Sequence, residues 1–412
     1  MKIAITIPTG RPKVHKVVKA FLENALQHGH NPKDFSIYLS IDTKYQDTST
    51  EEFHLDKETF KKVNRVIYIT SDKREKIGKE IKKSFNISNI IAQKLFVGNG
   101  YSKQRNSALM MALQDGNDIA ICIDDDEAPF VPLKKEDGSI KWLNMDFFGP
   151  HIKELSNGAD ITRGPYLGYK SPVPSDFEKD IPEEIRKKLG EALQYGNDVI
   201  TKHSFFNLMN QIKCLAKEDL DKKAFTVKNG KHGKHIYAGN MGINLQSVRK
   251  GRIPIFFTPN DARGEDTIFA LQLNKVKVKE VPSYIFHDPF NMYPKIFEGE
   301  FPKNLKPIPL TDKTKKRFTA ALSGWLKYAP ILIALTSKTE NEKLSRINEM
   351  IKKIIYPTQE LAQILDCPEL KNSFAILKKY SQNLEEDRES LSKVQIEWKE
   401  KVVPNLNNLT LS

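Results

Sequence analysis

Residues 119–127 read Ile-Ala-Ile-Cys-Ile-Asp-Asp-Asp-Glu, five apolar residues that end abruptly in four acids. An apolar run that short and rich in isoleucine predicts a strand buried on both faces, which requires a sheet with helices on both sides. The acids then lie just past the C-terminal end of the strand, the edge of an open α/β sheet where ligands bind. Four adjacent carboxylates repel one another unless they are solvated or bridged by a cation. Asp124 and Asp126 point the same way in extended chain and offer hard oxygen ligands to one divalent ion and the phosphates it carries. An acidic turn closing a strand explains the same residues without a ligand, so the rest of the chain decides.

The segment before that strand reads as alternating strands and helices. Residues 2–8 form a short apolar strand that breaks at Thr9-Gly10-Arg11-Pro12, where glycine allows a tight turn and proline suits a first helical turn. A helix over 14–25 and a strand over 35–41 ending at Asp42 complete the opening of a nucleotide-binding α/β unit. The glycine-rich dinucleotide fingerprint is absent, so NAD is not expected. Asp42 is a candidate partner for a nucleotide base or ribose, or a turn former. Residues 57–63 predict a helix, 66–70 a strand and 71–96 a lysine-rich helical stretch. Gly98, Asn99 and Gly100 form a loop, Ser102 is the expected N-cap, and a helix follows to Leu113. Arg105 and Asn106 fall in its first turns, where backbone N–H groups favour an anion. For Arg105 a phosphate or ribose contact, a brace for the acidic loop and a surface ion pair all remain open.

After the acids, a further strand is expected over 159–164, and residues 172–233 read as an insertion. It holds a charged helix over 182–193, the pair Phe205-Phe206, and the repeats Lys231-His232 and Lys234-His235, all without an assigned chemistry. Gly239 and Asn240 precede an apolar stretch, and glycine there lets a substrate approach the backbone. Glu265 and Asp266 are expected to cap a helix with Ile268, Phe269 and Leu271 on its buried side. A carboxylate pair so placed can also serve as a general base. A strand over 276–281 precedes one ending at His287, a candidate metal ligand or a structural histidine. Past residue 302 the pattern turns helical, over 316–335, 341–355, 358–365 and 371–401. Phe318, Leu322, Trp325, Leu326 and residues 330–335 make one strongly apolar helix, expected to pack on the preceding domain, with a membrane surface or self-association as the alternatives.

The chain has 412 residues, enough for two domains, and its net charge of +13 favours anionic partners without choosing among them. Cys122, Cys214 and Cys367 are far apart and odd in number, which argues against a disulfide framework or zinc spacing and for a reducing compartment. The N-terminus lacks a signal-peptide layout, and the longest apolar run, 328–336, is too short to span a bilayer. A cytoplasmic location follows, with peripheral contact at the inner face of the membrane left open.

Taken in order, these features resemble nucleotide-sugar glycosyltransferases of the GT-A fold, most like family 2. A first strand ending in a Pro-Thr and Arg-Pro turn is matched at Pro8, Thr9, Arg11 and Pro12, and an acid after the second strand at Asp42. An Arg-Asn-x-Ala-Leu helix start is matched by Arg105, Asn106, Ala108 and Leu109, an Asp-x-Asp by Asp124 and Asp126, and a Glu-Asp helix start by Glu265 and Asp266. The resemblance implies a GT-A catalytic domain over 1–301, with a donor half over 1–127 and an acceptor half over 128–301, followed by a helical region over 302–412. It implies Mn²⁺ or Mg²⁺ on Asp124, Asp126 and His287, and a UDP- or GDP-sugar held by Thr9, Arg11, Asp42, Arg105, Asn106, Asp124 and Asp125. It places Gly239 and Asn240 on the acceptor side and makes Asp266, with Glu265, the base of an inverting transfer to a glycan, polyol or lipid-linked hydroxyl. Retaining GT-A enzymes, some with helical tails, are an alternative. So is a sugar-phosphate nucleotidyltransferase, although Thr9-Gly10-Arg11-Pro12-Lys13 is a poor version of its glycine-rich loop. Nucleic acid is not expected, because a non-enzymatic anion binder leaves the repelling acids at 124–127 unexplained.

Overall fold

The computed structural model describes residues 1–169, 173–174, 177–197, 211–230 and 233–408. Phe205, Phe206, Lys231 and His232, singled out within the 172–233 insertion, lie outside the described residues. The strands in chain order are β1 (Ile3–Thr9), β2 (Phe35–Ile41), β3 (Arg65–Ile69), β4 (Ile119–Ile123), β5 (Glu127–Ala128), β6 (Val131–Lys134) and β7 (Ile140–Leu143). They continue with β8 (Ile161–Arg163), β9 (Tyr166–Tyr169), β10 (Ile212–Lys213), β11 (Phe225–Thr226), β12 (Asn240–Asn244), β13 (Val278–Glu280) and β14 (Ile285–His287).

Eight of them form one mixed sheet in the order β11-β13-β8-β12-β4-β1-β2-β3. β3, β2, β1 and β4 run parallel, while β12 inserts antiparallel between β4 and β8. Every residue of β1, β2 and β4 is buried, the polar Thr6, Thr9, Ser36 and Ser40 included, as in strands covered on both faces. Alternation splits the side chains between two cores. Ile3, Ile5 and Ile7 of β1 face helix Val14–Gln27, Phe147 and Phe148, whereas Ala4, Ala120 and Cys122 face helix Tyr101–Gln114. A smaller sheet, β10-β9-β14-β5, sits beyond the C-terminal end of β4, with His287 paired to Glu127 across it.

Local structure departs from expectation where backbone conformation overrides side-chain chemistry. The helical stretch over 71–96 is two helices, Ser71–Phe85 and Asn89–Leu95, separated at Asn86, whose φ of 50° is left-handed and stops the first. The helix carrying Arg105 is capped by Gly100 at φ 126° rather than by Ser102, whose hydroxyl pairs with Thr258 at 3.0 Å. Gly264, at φ 86°, caps the helix Glu265–Leu271, so Glu265 and Asp266 are its first two helical residues and not its cap.

The C-terminal region forms helices Asp312–Thr336, Glu340–Ile364, Ser373–Gln382 and Leu384–Glu397. Helix Glu340–Ile364 passes through Pro357 unbroken, where two shorter helices were expected. Their apolar faces join the core that covers one face of the sheet: Phe318, Leu322, Leu326 and Val394 belong to the same buried cluster as Ala108, Phe256 and Phe269. The indole of Trp398 donates to the carbonyl of Ile253 at 3.2 Å. Helix Asp312–Thr336 is long and apolar enough to cross a bilayer, and 61% of its most apolar window is buried against the rest of the protein.

Candidate active site

The acidic run, the turn that follows β1, the segment that precedes β12 and helix Asp312–Thr336 converge on one cavity of about 380 Å³ at the C-terminal edge of β4. Its floor is Asp124, Asp125 and Asp126, flanked by Arg11 and Arg105. Glu265, Asp266 and His287 also line it. Tyr101, Tyr166, Tyr237 and Arg263 complete the sides, and the C-terminal helix adds Arg317, Trp325 and Tyr328.

Each acid has a distinct environment. Asp125 is tied to the turn after β1, accepting from Thr9 Oγ1 at 2.8 Å and from the Gly10 N–H at 3.2 Å and pairing closely with Arg11. Thr9, Arg11 and Asp125 therefore form one internal staple between the ends of β1 and β4. Asp126 meets three cationic or titratable groups: Arg11 at 2.9 Å, Arg317 at 3.6 Å and His287 Nε2 at 3.6 Å. Burial works against its charge, but Arg11, His287 and Arg317 outweigh burial and hold this carboxyl well below the usual range. Burial pushes the Asp124 and Asp125 carboxyls up, with Arg105 and Arg11 respectively opposing it. Glu127 is fully buried, accepts the Asp124 N–H at 2.8 Å, and is pushed far up by burial and then by Asp124.

Arg105 is the brace among the roles considered for it. Its side chain is 4% exposed and bridges Asp124 at 2.7 Å and Glu265 at 3.4 Å, while also donating to the Ala238 carbonyl at 3.0 Å. It thereby fixes the spacing between the acids after β4 and the acids opening helix Glu265–Leu271. Asn106 lies elsewhere: it is fully buried, donates to the Leu95 and Phe256 carbonyls and accepts from the Phe256 N–H, so it ties segments behind the cavity. Asn240 is likewise buried, bonded to His151 at 3.0 Å and to the Ser283 carbonyl at 3.0 Å, and is not a cavity wall. Gly239 does approach the acids: a Cβ there would come within 2.6 Å of Asp124 Oδ2 and press on Glu127 and Tyr166. Asp42 lines a small adjoining recess with Gly10, Tyr45, Tyr101 and Gln104, and its carboxylate also accepts the Lys44 N–H at 3.1 Å.

The donor set can be tested against a divalent cation. His287 Nδ1 pairs closely with the Tyr169 carbonyl oxygen, an acceptor only, so Nδ1 carries the proton. Nε2 lies 3.6 Å from Asp126 Oδ1, so that in a neutral ring its lone pair and the carboxylate can ligate one cation. Asp126 and His287 thus fit the group. Asp124 engages Arg105, and no cluster of three ligating side chains is closed among the described residues.

Arg317 from the C-terminal helix, Arg263, and Gln104, whose buried amide oxygen has no hydrogen-bond partner among the described residues, carried no sequence signal of their own. Two glycines did mark the contact. A Cβ on Gly264 would meet the Tyr328 ring at 2.7 Å, and one on Gly324 would meet the Arg263 side chain at 2.7 Å. Glycine inside an apolar helix costs about 1 kcal/mol relative to alanine, so Gly324 signals a close approach by another element.

Fold and site define an α/β protein with an acid-floored, arginine-lined cavity at the carboxyl edge of parallel strands. No protein-family model matches the chain, and no curated protein matches it. Among solved structures it is similar to S. aureus TarS 1-349 at 12% identity and a TM-score of 0.35, over 94% of this chain and 91% of that one. It is also similar to the mannosyltransferase PcManGT from Pyrobaculum calidifontis, in complex with GDP-Man and Mn²⁺, at 11% identity and a TM-score of 0.35, over 94% of this chain and 88% of that one. Likeness at that level identifies no family.

Proposed function

We propose that this protein is a metal-dependent glycosyltransferase of the GT-A type, moving a sugar from a UDP- or GDP-sugar to an acceptor hydroxyl with inversion. The observation that carries the reading is one cavity lined by Asp124, Asp126, His287, Glu265 and Asp266, in which Arg105 bridges Asp124 and Glu265. An inverting displacement needs the metal ligands and the base on opposite sides of the reacting carbon. Asp126 and His287, with Asp124, would hold Mn²⁺ or Mg²⁺, which when bound offsets the charge of a leaving diphosphate. Asp42 and Gln104, in the adjoining recess, would take the nucleoside end of the donor. The stacked rings of Tyr166 and Tyr237, 4.6 Å apart, give a sugar ring an apolar face. Asp266 would accept the proton of the acceptor hydroxyl, while Glu265, engaged with Arg105, holds its helix start in place. A glycan, polyol or lipid-linked acceptor and a site of action in the cytoplasm belong to the same proposal.

Calorimetric titration of UDP and GDP, with and without Mn²⁺, tests it. Binding of one of them is expected to strengthen with Mn²⁺ and to lose that gain in Asp126→Asn. Metal-independent binding, or an Asp126→Asn variant that keeps the full gain, would refute the metal site.

A further inference from the structure

We propose that Arg317, carried by the C-terminal helix, is a binding residue for the diphosphate of the donor. The proposal rests on the glycosyltransferase reading and adds to it a contact from outside the α/β sheet unit. Its basis is how the cavity arginines are committed. Arg11 is spent on Asp125 and Asp126, and Arg105 on Asp124, Glu265 and the Ala238 carbonyl. Arg317 makes no hydrogen bond among the described residues. It is held by the 3.6 Å pairing with Asp126 and by the ring of Phe290, 5.2 Å from its guanidinium carbon. A guanidinium has five N–H donors in a planar fork that matches two phosphate oxygens, so this one reaches the cavity with that capacity unused.

The helix that carries it is fixed. Thr311 and Thr314 cap each other at its start, and Phe318, next to Arg317, packs edge-on against Phe177 at 4.6 Å. Arg317 therefore enters the cavity from a rigid element, 24% exposed, beside Arg11 and above the acid it shares with Arg11. Arg11 is already satisfied by Asp125 and Asp126, so of the two guanidiniums at Asp126 it is Arg317 that has donors to spare. An anion with several oxygens, such as a diphosphate, can fill the Arg317 fork, which the 3.6 Å pairing with Asp126 does not. A nucleoside without phosphates has nothing to offer there, and this difference is what the test reads.

The test is calorimetric titration of UDP, GDP, uridine and guanosine into the wild-type protein, Arg317→Gln and Arg317→Lys, all in one Mn²⁺ buffer, with thermal melting of each variant alongside. Arg317→Gln is expected to weaken diphosphate binding about 10- to 100-fold and to leave nucleoside binding unchanged. Arg317→Lys, which keeps the charge and loses the fork, is expected to fall between. Wild-type diphosphate affinity in Arg317→Gln overturns the proposal and leaves the glycosyltransferase reading standing. Equal losses for diphosphate and nucleoside also overturn it, since a damaged fold affects both. If Arg317→Gln does not fold, Arg317→Lys carries the test, and an unchanged ratio of diphosphate to nucleoside affinity overturns the proposal. A wild-type protein that binds neither diphosphate refutes both readings together.

Discussion

Replacing Arg105 with leucine is the most informative perturbation of the site, because it removes the link between the two acidic groups and leaves the cavity otherwise intact. The Arg105 side chain is 4% exposed, and its partners Glu265 and Asp124 are 10% and 26% exposed. Removing one member of a buried ion pair costs about 3–5 kcal/mol, because the remaining charge stays buried without a partner. Glu265 suffers most of that penalty, while solvent at Asp124 screens part of its share. We expect Arg105→Leu to lower the unfolding free energy by about 3 kcal/mol, the low end of that range. Urea unfolding at pH 7, followed through tryptophan fluorescence, measures it. The double variant Arg105→Leu/Glu265→Leu should recover much of the loss, since an apolar pair of similar volume carries no stranded charge. The loss of Arg105 also removes the group that opposes burial at Asp124, so that carboxyl rises further and Mn²⁺-dependent nucleotide binding should shift to higher pH. A single variant within 0.5 kcal/mol of wild type, or a double variant no more stable than the single, would show that Arg105 is not the brace described here.

Asp266→Asn is expected to bind UDP or GDP with Mn²⁺ as the wild type does and to lose transfer by about 10²- to 10⁴-fold, the worth of a general base. Turnover near wild type would reduce Asp266 to a favourable charge at a helix start. His151 is fully buried between Thr162 and Asn240, and burial pushes its pKa from 6.5 down to about 4. The unfolded chain therefore binds a proton that the folded one refuses between those values. Stability should fall as pH drops through that window, by up to about 3 kcal/mol. His151→Gln should flatten this part of the pH profile, and an unchanged slope would assign it to other groups.

The acid-terminated strand was legible because its signal is local: an apolar run, a sharp edge and charges with nowhere to go. The parallel order of β1, β2, β3 and β4 followed from the alternation of strands and helices in residues 1–123. Helix caps were misread at Ser102 and Glu265 because glycines with positive φ took those positions, and a glycine has no side chain to announce a cap. Asn106 and Asn240 looked like ligand contacts since an amide near a turn suits either a ligand or a buried backbone. Which of the two applies depends on segments 150 and 43 residues away. The docking of helix Asp312–Thr336 was legible in its apolar residues, but Arg317 as a cavity wall had no local signature, because where the helix lands is set by shape across the whole core.

That shared core has a consequence for how the protein comes into being. The strands are all made by residue 287, yet the buried cluster on one face of the sheet, begun by helix Tyr101–Gln114, is completed only by helices that begin at residue 312 and run to 397. A chain still leaving the ribosome carries an apolar surface it cannot yet close and a cavity that lacks one wall. The complete cavity therefore arrives with the last quarter of the chain, and a prematurely stopped product is an unfinished core with exposed apolar surface.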